Sequence, residues 1–322
     1  MTTASHAIIR SFSSRGFLLL CAVSVAVGWR PLAATLALAQ QNDAYTHVLL
    51  VLPVSLALIF AGSGSRRWQP VPNFRVGSAM LLLAALIGFM GWTRAGNIGD
   101  DLQLSMYMLA LVMWWIGAFV SFFGSRISRM YVFPLCFLLW MVPLPELLLG
   151  RIVSLLQQGS ASAAHMLFSA AGVPVAQDGV TLSIPGLKVE VAQECSSIRS
   201  SLMLILTSMV MAQLLLRTVW GKTLAILAAV PLSIIKNGAR VFTLSMLTAY
   251  VDPGYLSGRL HHQGGFVFFL LALGAELALL CLIGRLERKT EAEPAASLLR
   301  PAVAARPRNP RRMPAAARGP QP

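Results

Sequence analysis

Eight apolar runs organise this chain, each close to the ~20 residues a helix needs to cross a bilayer. They cover 12–30, 46–64, 76–93, 104–124, 130–148, 196–216, 222–248 and 264–284, and predict as many transmembrane helices. One polar stretch breaks the pattern. Residues 173–193 (VPVAQDGVTLSIPGLKVEVAQ) are rich in β-branched side chains and punctuated by Asp178-Gly179 and Pro185-Gly186. That pattern predicts short strands joined by tight turns. The fold class is therefore an all-α polytopic membrane protein with a small β element ahead of Cys195.

The charged positions orient the spans. Arg10 and Arg15 precede or open the first run, and Arg66, Arg67 and Arg75 separate the second from the third. Arg126 and Arg129 follow the fourth, Arg217 and Lys222 join the sixth to the seventh, and Arg285, Arg288 and Lys289 follow the eighth. Alternate loops are thus basic, which places them and both termini in the cytoplasm. Loops 31–45, 94–103, 149–195 and 249–263 then lie outside. Within them, 149–170 is too polar to span but keeps helical spacing of its apolar residues, so a helix along the outer interface is expected. The start of the chain resembles a signal peptide. It lacks a convincing cleavage site and many spans follow, so it reads as an uncleaved first helix. Residues 1–11 form a cytoplasmic N-terminus, 12–285 the membrane domain, and 286–322 a basic tail. Rich in Ala, Pro and Arg with little to bury, that tail is expected to be disordered and to touch anionic lipid heads.

Composition agrees. The 322 residues are 56% hydrophobic and 12% charged, against about 25% charged in a soluble domain. Mean hydropathy is +0.69. The net charge of +14 follows the cytoplasmic loops and tail, with no basic-aromatic groove of the kind that binds nucleic acid. The four cysteines (Cys21, Cys136, Cys195, Cys281) show no CxxC or Cys/His ligand spacing. No disulfide framework, metal site or cofactor is therefore expected.

Three ionisable residues stand out against this apolar background. Cys195 lies where the strand-like segment enters the sixth run, and it alone among the cysteines has polar neighbours on both sides. Two readings stand: a buried membrane cysteine, or a nucleophile whose thiolate is favoured at a helix start. In the second, the free N–H groups of Cys195-Ser196-Ser197 offer an oxyanion site, while Glu194 opposes the thiolate unless it faces away or meets a cation. Arg240 lies in the outer half of the seventh run, with Asn237 one turn earlier and Lys236 four residues before it. It is either a structural arginine bonded to carbonyls or the stabiliser of a thiolate, oxyanion or carboxylate. His261 and His262 sit at the mouth of the last run before Gly264 and Gly265. An imidazole there is either simply solvated or a general acid/base, and spacing alone does not choose between the two. The topology puts Cys195, Arg240 and His261 at similar depth near the outer face. Arg199, one turn after Cys195, either helps hold substrate or meets a lipid head. His47 is a weaker candidate at another outer end, and His165 belongs to the interfacial helix.

At these residues the chain resembles the exosortase/archaeosortase family of membrane cysteine proteases or transpeptidases. The likeness covers roughly 40–284 and runs in order through DAYTHVLLVLPVSLALIF, FPLCFLLWMVPLPELLLGRIVSLLQ, AGVPVAQDGVTLSIPGLKVEVAQECSSIRSS, VPLSIIKNGARV and HHQGGFVFF. No single piece is decisive; the ordered set is specific. The resemblance implies Cys195 as nucleophile, Arg240 as thiolate or oxyanion stabiliser and His261 as general acid/base, since Gly265 and Phe266 fit the family pattern in the His261 register. Asn237, Arg199 and His262 are secondary. Ser197 stands where the family commonly has Gly, which bears on substrate fit, and no fused periplasmic accessory domain is seen.

The resemblance further implies cleavage, at the outer face of a bacterial inner membrane, of exported proteins that end in a Pro-Glu-Pro-type motif, a transmembrane helix and a basic end. It also implies a link to exopolysaccharide and biofilm matrix, no cofactor, and membrane lipids as the other partners. Two readings compete. One is a transporter or lipid-linked-glycan carrier using Arg240 to bind an anionic substrate, against which stand the one-sided polar groups and the absence of an evident repeat. The other is a non-catalytic scaffold of an export complex.

Overall fold

The computed structural model describes residues 3–63, 70–96, 99–191, 198–252 and 265–304. Among these, six helices are long and apolar enough to cross a membrane, or eight if two sharply bent pairs each count as one span. The chain is a multi-pass membrane protein, mostly helical, with one small sheet.

The first bent pair is α1 (Thr3–Val27) and α2 (Trp29–Gln41), which meet at Gly28 with a 73° bend. The sequence suggested a loop from residue 31. Helix continues instead, because Ala and Leu dominate 32–39 and Pro31 falls in the first turn, where its missing N–H costs little. Asn42 then caps a 3-10 turn (Asp43–Tyr45) by accepting from Ala44 N at 3.0 Å. That turn leads into α3 (Val48–Ser63).

Helices α4 (Phe74–Thr93) and α5 (Asp100–Phe123) form the tightest pair. A methyl on Gly77 would fall 2.7 Å from the Ser121 backbone, and one on Gly117 3.1 Å from Met80 Cβ. Small residues at such points let two helices approach closely in lipid, where apolar burial alone drives no association.

The expected span 130–148 is not one helix. Short helices α6 (Ser125–Met130) and α7 (Val132–Phe137) and a 3-10 turn (Leu138–Met141) climb to Pro143 and Pro145. There the chain turns through 98° into α8 (Glu146–Ala170). Proline removes donors and stops the helix. The freed polar groups find partners: Ser105 donates to Pro143 O at 2.7 Å, Tyr45 to Leu144 O at 2.8 Å, and Glu146 N to Asp101 Oδ2 at 2.7 Å. The main apolar core lies here, where Met108, Val112, Phe137, Met141, Leu156 and Leu202 pack together.

As far as it is described, to Val191, the segment expected to form strands does so. β1 (Ala176–Asp178), β2 (Thr181–Ile184) and β3 (Leu187–Glu190) form an antiparallel sheet in that order. Its turns use Gly179 at φ +58 and Gly186 at φ +78, a backbone region glycine enters without steric cost. One face of the sheet buries Leu182 and Ile184 against Ala161, Ala164 and Phe168 of α8 and Val241 of the long helix that follows.

Three helices complete the fold: α9 (Ile198–Leu215), α10 (Val219–Tyr250) and α11 (Gly265–Ala304). α9 and α10 are antiparallel, since Lys236 meets Ser200 and Lys222 meets Gln213. α9 and α11 are parallel, since Ser208 meets Glu276 while Arg217 and Thr218 meet Glu287. α8 runs parallel to α10: Gly159 lies against Ile234, Ala163 against Gly238, and the Phe168 and Phe242 rings sit 4.9 Å apart. Helix α11 continues past residue 284, where the apolar run ends, to Ala304, so 286–304, expected as part of a disordered tail, is helical. The Glu, Lys, Ala and Leu residues of 287–299 are good helix formers, so helix does not stop where hydrophobicity does.

Candidate active site around Arg240

Arg240 lies in the second half of α10, eight per cent exposed. Asn237 and Lys236 share its face and are also buried. A run of two cations and an amide within one helical turn is costly in lipid. Such groups turn inward, towards partners or water. Lys236 Nζ donates to Ser200 Oγ at 2.5 Å. Ser200 belongs to the first turn of α9. The Arg240 guanidinium lies at the start of α11, with Cζ 3.8 Å from where a methyl on Gly265 would stand. The first turns of α9 and α11 therefore both lie beside the Lys236–Arg240 turn of α10.

Next to this turn the sheet hands the chain onward. Val191 is fully buried, donates its N–H to Val180 O at 3.0 Å and accepts from Gln157 Nε2 at 3.1 Å. Cys195, with Glu194 and Ser197, falls in 192–197, and His261 and His262 fall in 253–264; both segments lie outside the described residues. In sequence, Cys195 precedes the first residue of α9 by three positions and His261 precedes that of α11 by four.

Other candidates occupy different surroundings. Arg199 pairs with Asp43 across 3.1 Å, with both side chains more than half exposed. Such a surface pair contributes about 0–1 kcal/mol, and it ties the start of α9 to the turn ahead of α3. His47 is buried, with Nδ1 3.0 Å from Ala44 O and its ring edge-on to Trp140 at 6.1 Å. Those contacts give it a packing role in the core. His165 is half-buried on α8. A cavity of about 580 Å³ between α1, α3 and α5 is lined by Phe17, Cys21, Leu52, Phe60, Trp115 and neighbours, with no residue of α9, α10 or α11, so it is separate from this site.

One functional-looking group escaped the sequence reading. Glu276 is fully buried in the apolar first half of α11 and accepts from Ser208 of α9 at 2.6 Å. A lone carboxyl inside an apolar run is itself the signal that would have found it.

Chemically, a buried guanidinium offers five N–H donors and keeps its charge. It can hold a thiolate, an oxyanion or a carboxylate. Comparison with known proteins supplies the context. No curated protein and no solved structure matches the chain. The family model described as Transmembrane exosortase (Exosortase_EpsH) matches residues 38–277, which span α3 to α10, the sheet and the first turns of α11. Exosortases process PEP-CTERM sorting signals and are cysteine proteases or transpeptidases. The match covers far more than half of the sequence and includes every candidate residue, and the chain belongs to the transmembrane exosortase family.

Proposed function

We propose that this protein is the membrane-embedded peptidase or transpeptidase that removes C-terminal PEP-CTERM-type signals from exported proteins at the outer face of the inner membrane, in the service of exopolysaccharide and biofilm matrix. Its substrates would carry a Pro-Glu-Pro-type motif, a transmembrane helix and a basic end. The alternation of basic loops supports this orientation, with both termini in the cytoplasm. The observation that carries the reading is the buried Lys236–Arg240 turn of α10, where Lys236 meets Ser200 in the first turn of α9 and Arg240 lies beside Gly265 at the start of α11, the helices that directly follow the Cys195 and His261 segments.

In this mechanism the Cys195 thiolate attacks the carbonyl carbon of the scissile peptide, and the carbonyl π pair moves to oxygen. Arg240 holds that oxyanion by charge-assisted N–H donation. The tetrahedral species collapses, the C–N bond breaks, and the His261 imidazolium gives its proton to the departing amine. The thioester on Cys195 is then opened by water or by an acceptor amine, and neutral His261 takes the proton of that second nucleophile. Asn237 supports the Arg240 face, Arg199 stands at the rim, and His262 neighbours the acid/base. The bilayer completes the site, since a motif just outside a substrate helix meets a nucleophile at the membrane boundary.

The test is co-expression of this chain with a reporter ending in such a signal. Wild type shortens the reporter, and Cys195→Ala at matched expression does not. Equal shortening by both would end the proposal.

A further inference from the structure

The three helices bearing or following the candidate catalytic residues share a polar node far from them. Ser208 of α9 donates to Glu276 Oε1 of α11 at 2.6 Å, and the same hydroxyl stands 3.4 Å from Ala225 O of α10. All three residues are completely buried. The surroundings are apolar: Ala212, Ala225, Leu280 and Ile283 form the adjacent cluster. Among the described residues no cation pairs with Glu276, and its Oε2 has no hydrogen-bond partner. Among the described residues Ser208 alone satisfies this carboxyl, so the bond is costly to break and specifies one register.

Apolar packing alone specifies register weakly. Sliding α11 along α9 by one turn, about 5.4 Å, would still bury leucines against leucines. It would also carry Gly265 away from Arg240. Glu276 lies eleven residues after Gly265, and Ser208 ten after Ile198. The node therefore sets two nearly equal helical lengths that end beside the Lys236–Arg240 turn, α9 at Lys236 and α11 at Arg240.

We infer that Ser208 and Glu276 form a polar register lock that aligns the starts of α9 and α11 against Arg240, which makes both residues positioning residues for the reaction. The inference rests on the peptidase reading above for its catalytic consequence, though the register itself does not.

The experiment uses the full chain in detergent or liposomes, processing a purified signal-bearing reporter. Ser208→Ala and Glu276→Leu should each lower kcat about tenfold or more, as small misplacements do, with KM within about twofold. The double variant should be no worse than the poorer single, because both remove one bond. Glu276→Gln, whose amide still bonds Ser208, should regain most of the kcat. Multiplying losses, a full kcat in Glu276→Leu, or a change confined to KM would each overturn the lock. If Glu276→Leu does not fold, Ser208→Ala with Glu276→Gln carries the same comparison. Spin labels at the exposed Leu214 and Leu282 read the register without catalysis. Their separation should shift in Ser208→Ala and stay at the wild-type value in Glu276→Gln, and an unchanged separation in Ser208→Ala overturns the lock. Should Cys195→Ala prove active, the peptidase reading falls while the label distances still judge the lock.

Discussion

Arg240 and Gly265 face each other across the α10–α11 contact, so closely that a methyl on the glycine would touch the guanidinium carbon at 3.8 Å. That is ordinary van der Waals contact. Gly265→Ala should therefore retain most processing activity. Gly265→Leu must push the guanidinium aside, and a displacement on the order of 1 Å should cost about 10²-fold in kcat. Reporter processing by the two variants, at matched membrane levels, checks this. Equal activity would mean that the position of Arg240 does not matter.

Arg240 itself should resist conservative replacement. A planar fork of donors suits an oxyanion or carboxylate in a way a single ammonium does not. Arg240→Ala should lose about 10²-fold or more, as removal of an oxyanion donor does, and Arg240→Lys should recover only part of it. Full activity with lysine would reduce the role to charge alone.

A packing prediction concerns Gly238, two residues before Arg240. A methyl there would lie 2.6 Å from Ala163 Cβ and 3.0 Å from Ala164 N, so Gly238→Ala must push α8 off α10. Overpacking of this kind costs about 1–3 kcal/mol, read as a lower unfolding temperature in detergent. Gly150, also on α8, has nothing within 4 Å of the equivalent position. There Gly150→Ala should stabilise by about 0.5–1 kcal/mol, since alanine is the better helix former.

These packing positions mark the limit of what the sequence made legible. Apolar length alone located the spans that became α3, α4, α5, α9, α10 and the first part of α11. The paired turn signals at Gly179 and Gly186 located the sheet. Three features needed structure. The break at Pro143–Pro145 was visible as residues, but an apolar count outweighed it. The role of Gly159, Ala163 and Ala164 as the α8 face against α10 is a matter of small volume, which hydropathy does not register. Glu276 was passed over because one carboxyl barely changes the mean of a long apolar run. For the site, the sequence singled out Arg240 and Asn237 from their charge and spacing. It did not foresee Ser200 as the Lys236 partner or Asp43 as the Arg199 partner, because both contacts join residues distant in the chain.

The two adjacent histidines should differ. His261→Ala is expected to stall at or before formation of the thioester, and His262→Ala to keep most activity. Assays of both single variants on a membrane-anchored reporter decide it. The reverse pattern would transfer the acid/base role to His262. Activity in both would leave the imidazole without a catalytic part.

The central claim is that Cys195 forms a thioester with the substrate. The measurement is peptide mapping by mass spectrometry of the purified protein, quenched in acid while it processes a signal-bearing reporter. Cys195 should carry the substrate acyl group, released by hydroxylamine, and Cys195→Ala and Cys195→Ser should neither acylate nor cleave. Alanine at Cys21, Cys136 or Cys281, of which the first is half-buried and the others exposed, should change nothing. Continued cleavage by Cys195→Ala, or turnover with no acyl group ever found on Cys195, would contradict the account.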